Sequence, residues 1–335
     1  MDTNKKRLLT GDRPTGRLHL GNYFGSIINR VKLQDQYACF FMIADLHMLT
    51  TDFDRTQDIK ENILSIAIDW ISSGINPEKS VFFIQSKVPA HSFMHLIFSM
   101  LVSVPRLERI PTLKDKVKES RFSDENAYSY GLLGYPVLQA ADILAYKASV
   151  VPVGEDQISH VELTREIARR FNYTYGEVFP EPRAILSETS RVPGIDGINV
   201  KMSKSLNNEI SLSHSFKEVR DRVMKMVTDP AKIRLTDRGH PQVCTVFSFY
   251  NILAAPELID QVKYECENGQ IGCVACKERL SELVNRLIEP IREKRFELER
   301  NPSGVWDILH EGTKNAIFTS NKTVSEMISK MKLNY

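Results

Sequence analysis

Long hydrophobic runs are missing from this chain. The longest apolar stretches, such as Ala38–Ala44, fall far short of the ~20 residues needed to span a bilayer, so no membrane segment is expected. No apolar core follows the two lysines of Met1-Asp2-Thr3-Asn4-Lys5-Lys6, and no secretory signal is read there. Charge of one sign is also scarce. Lys plus Arg number 44 against 42 Asp plus Glu, a formal net charge of +2. That balance neither announces nor excludes a nucleic-acid partner, since an RNA needs only a local basic stripe. There is no internal repeat and no low-complexity segment. Cysteine is sparse, at five. The expected compartment is the cytoplasm, where such thiols are free, metal-bound or redox-active rather than paired.

What is present suffices for a large soluble fold. The 335 residues suggest about two domains on the usual prior of ~150 residues each, and 42% apolar residues can fill their cores. Strand-like and helix-like segments alternate in the first part. Arg7–Gly11, Ala38–Ala44, Ser80–Gln85 and Val150–Val153 read as strands. Gly21–Asp35, Thr56–Ser73, Ala90–Val104, Tyr135–Lys147 and Asp156–Phe171 read as helices. This alternation implies βαβ units and a parallel sheet, an α/β fold. Pro105–Asn126 is polar and reads in part as a mobile loop. Pro180–Lys201 is broken by Pro193-Gly194 and Asp196-Gly197. After Ser205 strand signals nearly vanish. Helical periodicity covers Ser215–Val227, Pro256–Asn268, Lys277–Glu299 (with Pro290 a candidate kink) and Val324–Met331. A domain boundary is placed near Asn207–His214.

Two segments carry phosphate chemistry. Thr10-Gly11-Asp12-Arg13-Pro14-Thr15-Gly16-Arg17-Leu18-His19-Leu20-Gly21-Asn22-Tyr23 follows the first strand and opens a helix. Doubly wound sheets bind ligands at that place. Glycine lets backbone approach a phosphate, and a helix start offers unpaired N–H groups. Taken alone, the segment could equally be a Gly/Pro turn with one exposed histidine. In Lys201-Met202-Ser203-Lys204-Ser205, two cations and two hydroxyls on a loop can follow charge as it builds on a departing pyrophosphate.

His19-Leu20-Gly21-Asn22 resembles the HIGH signature of class I aminoacyl-tRNA synthetases, and Lys201–Ser205 is KMSKS letter for letter. Gly11-Asp12-Arg13-Pro14-Thr15-Gly16 looks like the version used for tryptophan and tyrosine. Asn22 replaces the final His of the strict signature, as is frequent in the tryptophan branch. The resemblance to tryptophanyl-tRNA synthetases implies a Rossmann-like catalytic domain at 1–207 and an α-helical anticodon-binding domain at 208–335. It implies catalytic roles for His19, Lys201 and Lys204. Lys114 and Lys116 match positions that often contact phosphate, with plain surface charge the alternative. Asp12, Arg13, Pro14, Gly21, Asn22, Gly154, Glu155, Asp156, Val192, Lys201, Met202, Ser203, Lys204 and Ser205 would meet ATP. Asp156 would take a ribose hydroxyl, or cap the following helix, or both. Mg²⁺ would ride with the triphosphate.

Three segments look like the tryptophan branch: Ile43–His47, Tyr135–Leu144 and Val151–Gln157. Gln139 and Asp142 lie three apart on a helix and share a face. By resemblance, Asp142 accepts the indole N–H, while Tyr135, Gln139 and Gln157 bracket the amino-acid end. Gly11, His47, Val151 and Val153 complete the tryptophan site. A helix-surface aspartate and a core histidine are the alternatives for Asp142 and His47. The resemblance further implies tRNA specific for tryptophan as partner and a homodimer, with basic residues such as Lys277, Arg279, Arg286 and Arg292 toward the anticodon.

Cys244, Cys266, Cys273 and Cys276 form C-x21-C-x6-C-x2-C, which suggests a metal site. Four thiolates can hold a [4Fe–4S] cluster or zinc. Unrelated free thiols and a redox pair are the other readings. A subset of tryptophanyl-tRNA synthetases carries an iron–sulfur cluster on a very similar spacing, which favours the cluster over zinc, whereas the first interval here is one residue shorter, a departure that weakens the match. Cys39 reads as core packing.

Overall fold

The computed structural model describes residues 5–119, 128–186 and 192–335. Five strands form one parallel sheet, β1 (Arg7–Asp12), β2 (Ala38–Ile43), β3 (Ser80–Ile84), β4 (Val150–Val153) and β5 (Arg183–Leu186), in the order β3-β2-β1-β4-β5. The fold class is therefore the expected α/β, Rossmann-like one. The central strands are apolar because both faces are covered: all six residues of β2 and all five of β3 are buried. β5 was not anticipated. Its four residues are exposed or half-buried at the sheet edge, so it lacks the apolar run that betrays a central strand.

The chain order reverses between β1 and β4, which are neighbours in the sheet. That is the switch point where open α/β sheets leave a crevice at their carboxyl ends. Gly11 and Asp12 end β1 there, and Val151 and Val153 lie on β4. Gly11 is required by packing, since a Cβ would drive into the Met42 carbonyl of β2.

The Tyr130–Ala145 helix buries most of its length, Pro136 included, and packs with the Pro89–Ser99 and Ile158–Tyr175 helices. Tyr146 closes it, stacked on Phe40 of β2 at 4.6 Å. The 29-residue Pro302–Lys330 helix lies against β3. A Cβ at its Gly312 would collide with the Phe82 carbonyl, while Thr313 Oγ1 accepts from the Ile84 N–H at 3.3 Å.

Two compact units result. The described residues of Met1–Gly16, Asn29–Glu188 and Asn301–Tyr335 form one, and those of Arg17–Ile28 and Thr189–Arg300 form the other. They interleave along the chain, whereas sequence texture suggested consecutive halves. The second unit holds a hairpin, β6 (Pro193–Gly194) with β7 (Gly197–Lys201), and the helices Phe216–Met224, Thr245–Leu253, Pro256–Glu267 and Cys273–Arg300. Ser215 starts the first of these with a capping box. Its Oγ accepts from Glu218 N–H, and Glu218 Oε2 accepts from Ser215 N–H at 2.7 Å. Pro290 lies inside a helix that runs as one element through Arg300.

Two local expectations change. The described part of Pro105–Asn126 is largely helical, in Val104–Glu108 and Pro111–Glu119, and the remainder of the segment, 120–126, lies outside the described residues. The Gly21–Asp35 helix is broken in type, since Tyr23–Ile27 is a π-turn between short α segments.

Candidate functional site

The phosphate motifs meet within the second unit. Leu18 and Leu20 pair with the segment just past KMSKS: Leu20 N–H donates to Ile210 O at 2.9 Å and Leu212 N–H to Leu18 O at 3.0 Å. Gly21 N–H points at Met202 Sδ at 3.3 Å, and a Cβ at Gly21 would press on the His19 imidazole. Asn22 Oδ1 accepts from His19 N–H at 3.1 Å, so Asn serves at that position as a cap. His19 is 8% exposed. Burial, then the charges of Lys204 and Lys201, pull its pKa down to about 4. It is thus neutral at working pH, a hydrogen-bonding group beside two cations.

Asn208 holds the KMSKS loop, and the sequence reading missed it. Its Oδ1 accepts from Ser203 N–H at 2.7 Å. Its Nδ2 donates to Asp196 Oδ1 at 2.8 Å and to Lys201 O at 3.2 Å. Ser203 and Ser205 hydroxyls lie 2.8 Å apart, and Met202 N–H donates to Val192 O at 3.4 Å. Lys201 stays exposed. An uncharged residue three places beyond a five-letter motif offers no chemical signal of its own.

In the first unit, Asp142 is fully buried. His47 Nε2 lies 2.8 Å from its Oδ2, and Gln85 Nε2 donates to both oxygens at 2.9 Å. His91 Nδ1 approaches Oδ1 to 2.6 Å, at ion-pair distance though outside hydrogen-bond angle. Burial opposes ionisation, but the His91 charge and the close approach of the His47 and His91 imidazoles outweigh it and hold the carboxyl at about 2. The helix-surface alternative for Asp142 is thereby excluded. Sequence reading found Asp142 and His47 but not Gln85, which directly follows β3, or His91, in the next α-helix. An alternating apolar pattern gives no reason to single these out.

Tyr135 and Gln157 are joined through His160, another missed residue. His160 Nε2 lies 2.9 Å from Tyr135 Oη, and its Nδ1 lies 2.9 Å from Gln157 Oε1. Gln139 is half-buried on the helix that carries Asp142. Val151 is buried and Val153 half-buried. Lys116 Nζ sits 5.2 Å from the Tyr135 ring centroid, while the Lys114 side chain lies outside the described residues.

The capping reading of Asp156 needs correction, and several other expected site residues have partners within the protein. Asp156 does not cap the Ile158–Tyr175 helix. Gly154, Glu155 and Asp156 are exposed, and the cap is Gln157, whose amide donates to Asp156 Oδ2 at 2.8 Å. Asp12 is bound to protein: Arg30, 2% exposed, pairs with it bidentately at 2.5 and 3.1 Å, and Trp70 Nε1 donates at 2.9 Å. Arg13 donates to Thr51 Oγ1 at 3.1 Å, and Pro14 is buried. Three expected anticodon-facing cations make internal bonds: Lys277 to Met224 O, Arg279 to Glu265, and Arg292 to His214 O. Arg286 is exposed.

The four cysteines come from three helix ends. Cys244 precedes Thr245–Leu253, Cys266 closes Pro256–Glu267, and Cys273 and Cys276 occupy the first turn of Cys273–Arg300. All are free thiols. Cys276 is pushed up to about 12, first by burial and then by the nearby thiols of Cys244, Cys266 and Cys273. Among the described residues, no three His, Cys, Asp or Glu side chains stand together as a ligand set.

A sequence model of the family "tRNA synthetases class I (W and Y)" matches residues 1–289. The chain is 47% identical to the tryptophan–tRNA ligase of Thermotoga maritima, over 98% of this chain and 99% of that one. It is 40% identical to the tryptophan–tRNA ligase of Aquifex aeolicus, over 98% and 100%. The crystal structure of tryptophanyl-tRNA synthetase from Campylobacter jejuni complexed with ADP and tryptophan superposes with a TM-score of 0.87 at 36% identity, covering 97% of this chain and 99% of that one. With two phosphate motifs packed on each other, a buried carboxylate held by side chains that follow β2 and β3, and this full-length likeness, the chain belongs to the class I tRNA synthetases of the tryptophan and tyrosine group.

Proposed function

We propose that this chain activates L-tryptophan with ATP, forming tryptophanyl-adenylate and pyrophosphate, and then transfers the tryptophanyl group to the 3′ end of its tRNA. The buried Asp142 carboxylate carries the choice of amino acid. An anionic acceptor shut off from water suits one N–H donor, and a site missing that donor leaves it unpaired. The full-length relatives bearing the same ligase name support it.

The nucleophile is the substrate's own carboxylate, already ionised. Its oxygen forms a bond to the α-phosphorus of ATP, and the bond from that phosphorus to the pyrophosphate oxygen breaks. No protein base is needed. The chain's contribution is orientation and charge stabilisation. Lys201 and Lys204 neutralise the departing pyrophosphate, with Ser203 and Ser205 as donors. His19, neutral, donates or accepts at the phosphates. Gly21, Asn22, Met202 and Val192 shape the nucleotide cradle, with Gly154, Glu155 and Asp156 at the ribose and Lys114 and Lys116 near the phosphates. Asp12, Arg13 and Pro14 hold the first turn. Mg²⁺ travels with the triphosphate. Tyr135, Gln139 and Gln157 meet the amino-acid end, and Gly11, His47, Val151 and Val153 line the ring slot.

The functional division follows 1–207 for catalysis and 208–335 for the anticodon, with the last helix returning to the sheet unit. A homodimer is supported by exposed apolar side chains on that unit, among them Phe53, Leu96, Met100 and Tyr130, and by a recess lined by Leu46, Leu49 and Phe53. No helix among the described residues is long and apolar enough to cross a membrane, which suits a cytoplasmic enzyme. Cys244, Cys266, Cys273 and Cys276 would hold a [4Fe–4S] cluster that braces the anticodon-reading part. The all-thiol donor set supports this. Iron and sulfide assays on anaerobically prepared protein test it, and colourless protein with stoichiometric zinc excludes it.

ATP–pyrophosphate exchange across the amino acids tests the main reading. Stimulation by tryptophan is expected. Stimulation by tyrosine and not tryptophan would overturn it.

A further inference from the structure

His160 is fully buried near the start of the Ile158–Tyr175 helix. Its surroundings decide which ring nitrogen carries the proton. Gln157 Nε2 donates to Asp156 Oδ2 at 2.8 Å, and a carboxylate oxygen can only accept. The amide orientation is thereby set, so Gln157 Oε1 faces His160 Nδ1 at 2.9 Å. An amide oxygen also only accepts, so Nδ1 must hold the hydrogen. Burial, then the Lys116 charge, keep this imidazole neutral, with a pKa near about 4. Nε2 is consequently a bare lone pair.

Two hydroxyls face that lone pair. Tyr135 Oη is 2.9 Å away and Thr112 Oγ1 is 3.1 Å away, and the two oxygens are 2.7 Å from each other. Either Tyr135 donates to His160, or Thr112 does so and Tyr135 donates to Thr112. In each arrangement the Tyr135 hydrogen points into the protein. Tyr135 can then present only oxygen lone pairs outward, while Gln157 keeps a lone pair on Oε1 beside its second Nε2 hydrogen, with the Asp156 carboxylate beyond.

We propose that His160 is a specificity-determining positioning residue, which turns the Tyr135 hydroxyl into an acceptor and fixes where the Gln157 amide oxygen lies, and so tunes the amino-acid end of the site for a protonated α-amino group. This rests on the proposed function, in which those two residues meet that end of the substrate. His160 itself does not touch the substrate. It acts by fixing which way the Tyr135 hydrogen and the Gln157 amide oxygen face.

The direct test needs no substitution in the main measurement. Long-range ¹H–¹⁵N spectra of histidine-labelled protein distinguish the two neutral tautomers, and His160→Gln assigns the peak. The Nδ1–H form, persisting down to pH 5.5, is expected. An Nε2–H form, or an imidazolium at pH 7, would overturn the proposal.

The functional arm compares His160→Leu with His160→Gln. Leu is expected to raise KM for tryptophan about ten- to hundredfold, the worth of a charge-assisted hydrogen bond. The inhibition constant of indole-3-propionate, which lacks the amino group, should stay within twofold. Gln, whose amide can donate to Gln157 and accept from Tyr135, should restore most of the difference. The ratio of the two constants comes from one preparation, so partial unfolding does not imitate the effect. Equal loss for both ligands in both variants would contradict the proposal. If wild-type protein shows no tryptophan-dependent exchange, the functional reading itself has failed, whereas active wild type with an unchanged ratio in His160→Leu defeats this inference alone.

Discussion

His91 Nδ1 stands 2.6 Å from Asp142 Oδ1, with neither side chain reachable by solvent. The other imidazole nitrogen of His91 meets Tyr146 Oη at 2.7 Å. A carboxylate in a dry core is stable as an anion only among such partners. Replacing His91 by Phe leaves Asp142 with His47 and Gln85. Its pKa should rise from about 2, and unfolding free energy should fall by about 3 kcal/mol, as for a broken buried pair. Urea denaturation at pH 7 measures this, and an unchanged midpoint would mean that His91 does not support the anion.

The buried imidazoles make stability pH-dependent. His19 and His160 titrate near about 4 when folded, against 6.5 for the free side chain. Between those values the unfolded chain binds more protons. Their contribution is complete above pH 6.5 and is lost as pH falls toward 4, by about 3 kcal/mol each. His95 and His214, also lowered by burial, act in the same direction. Urea midpoints should drop steeply from pH 6.5 to 4.5, and less so in a His19→Gln/His160→Gln double variant. Parallel curves for the two proteins would contradict the assignment.

Asn208→Ala should loosen the KMSKS loop. Three bonds through one buried carboxamide disappear, which leaves Ser203 N–H and Asp196 to find water. Exchange kcat should fall at least tenfold, and KM for ATP should rise. Tryptophan affinity, measured by equilibrium binding, should stay within twofold. A variant with full exchange activity would show that the loop needs no such pin.

Arg30→Met isolates the support of the first turn. Asp12 would keep Trp70 Nε1 as a donor and lose its bidentate cation. A destabilisation of roughly 3–5 kcal/mol is expected from the orphaned charge. An Arg30→Met/Asp12→Asn double variant should recover a good part of it. Additive losses in the double-variant cycle would deny the coupling.

Sequence alone made much of this legible, unevenly. Four of the five sheet strands were readable because buried parallel strands are continuous apolar runs, as in Ala38–Ile43. β5 was not, since an edge strand like Arg183–Leu186 keeps polar and exposed positions. His19, Lys201, Lys204 and Asp142 were legible because their motifs are long and chemically odd. Gln85, His91, His160 and Asn208 act by holding other side chains, and such service leaves no periodic or compositional trace. The interleaved units were equally hidden, because Arg17–Ile28 and Asn301–Tyr335 join partners far away in the chain.

The central claim is that Asp142 selects tryptophan through its indole N–H. The direct measurement is kcat/KM in pyrophosphate exchange for L-tryptophan and for its benzothienyl isostere, which has sulfur in place of that N–H. A preference of about 10⁴ for tryptophan, collapsing in Asp142→Ala, is expected of a site built around a buried acceptor. Equal use of both substrates by the wild-type protein would contradict it.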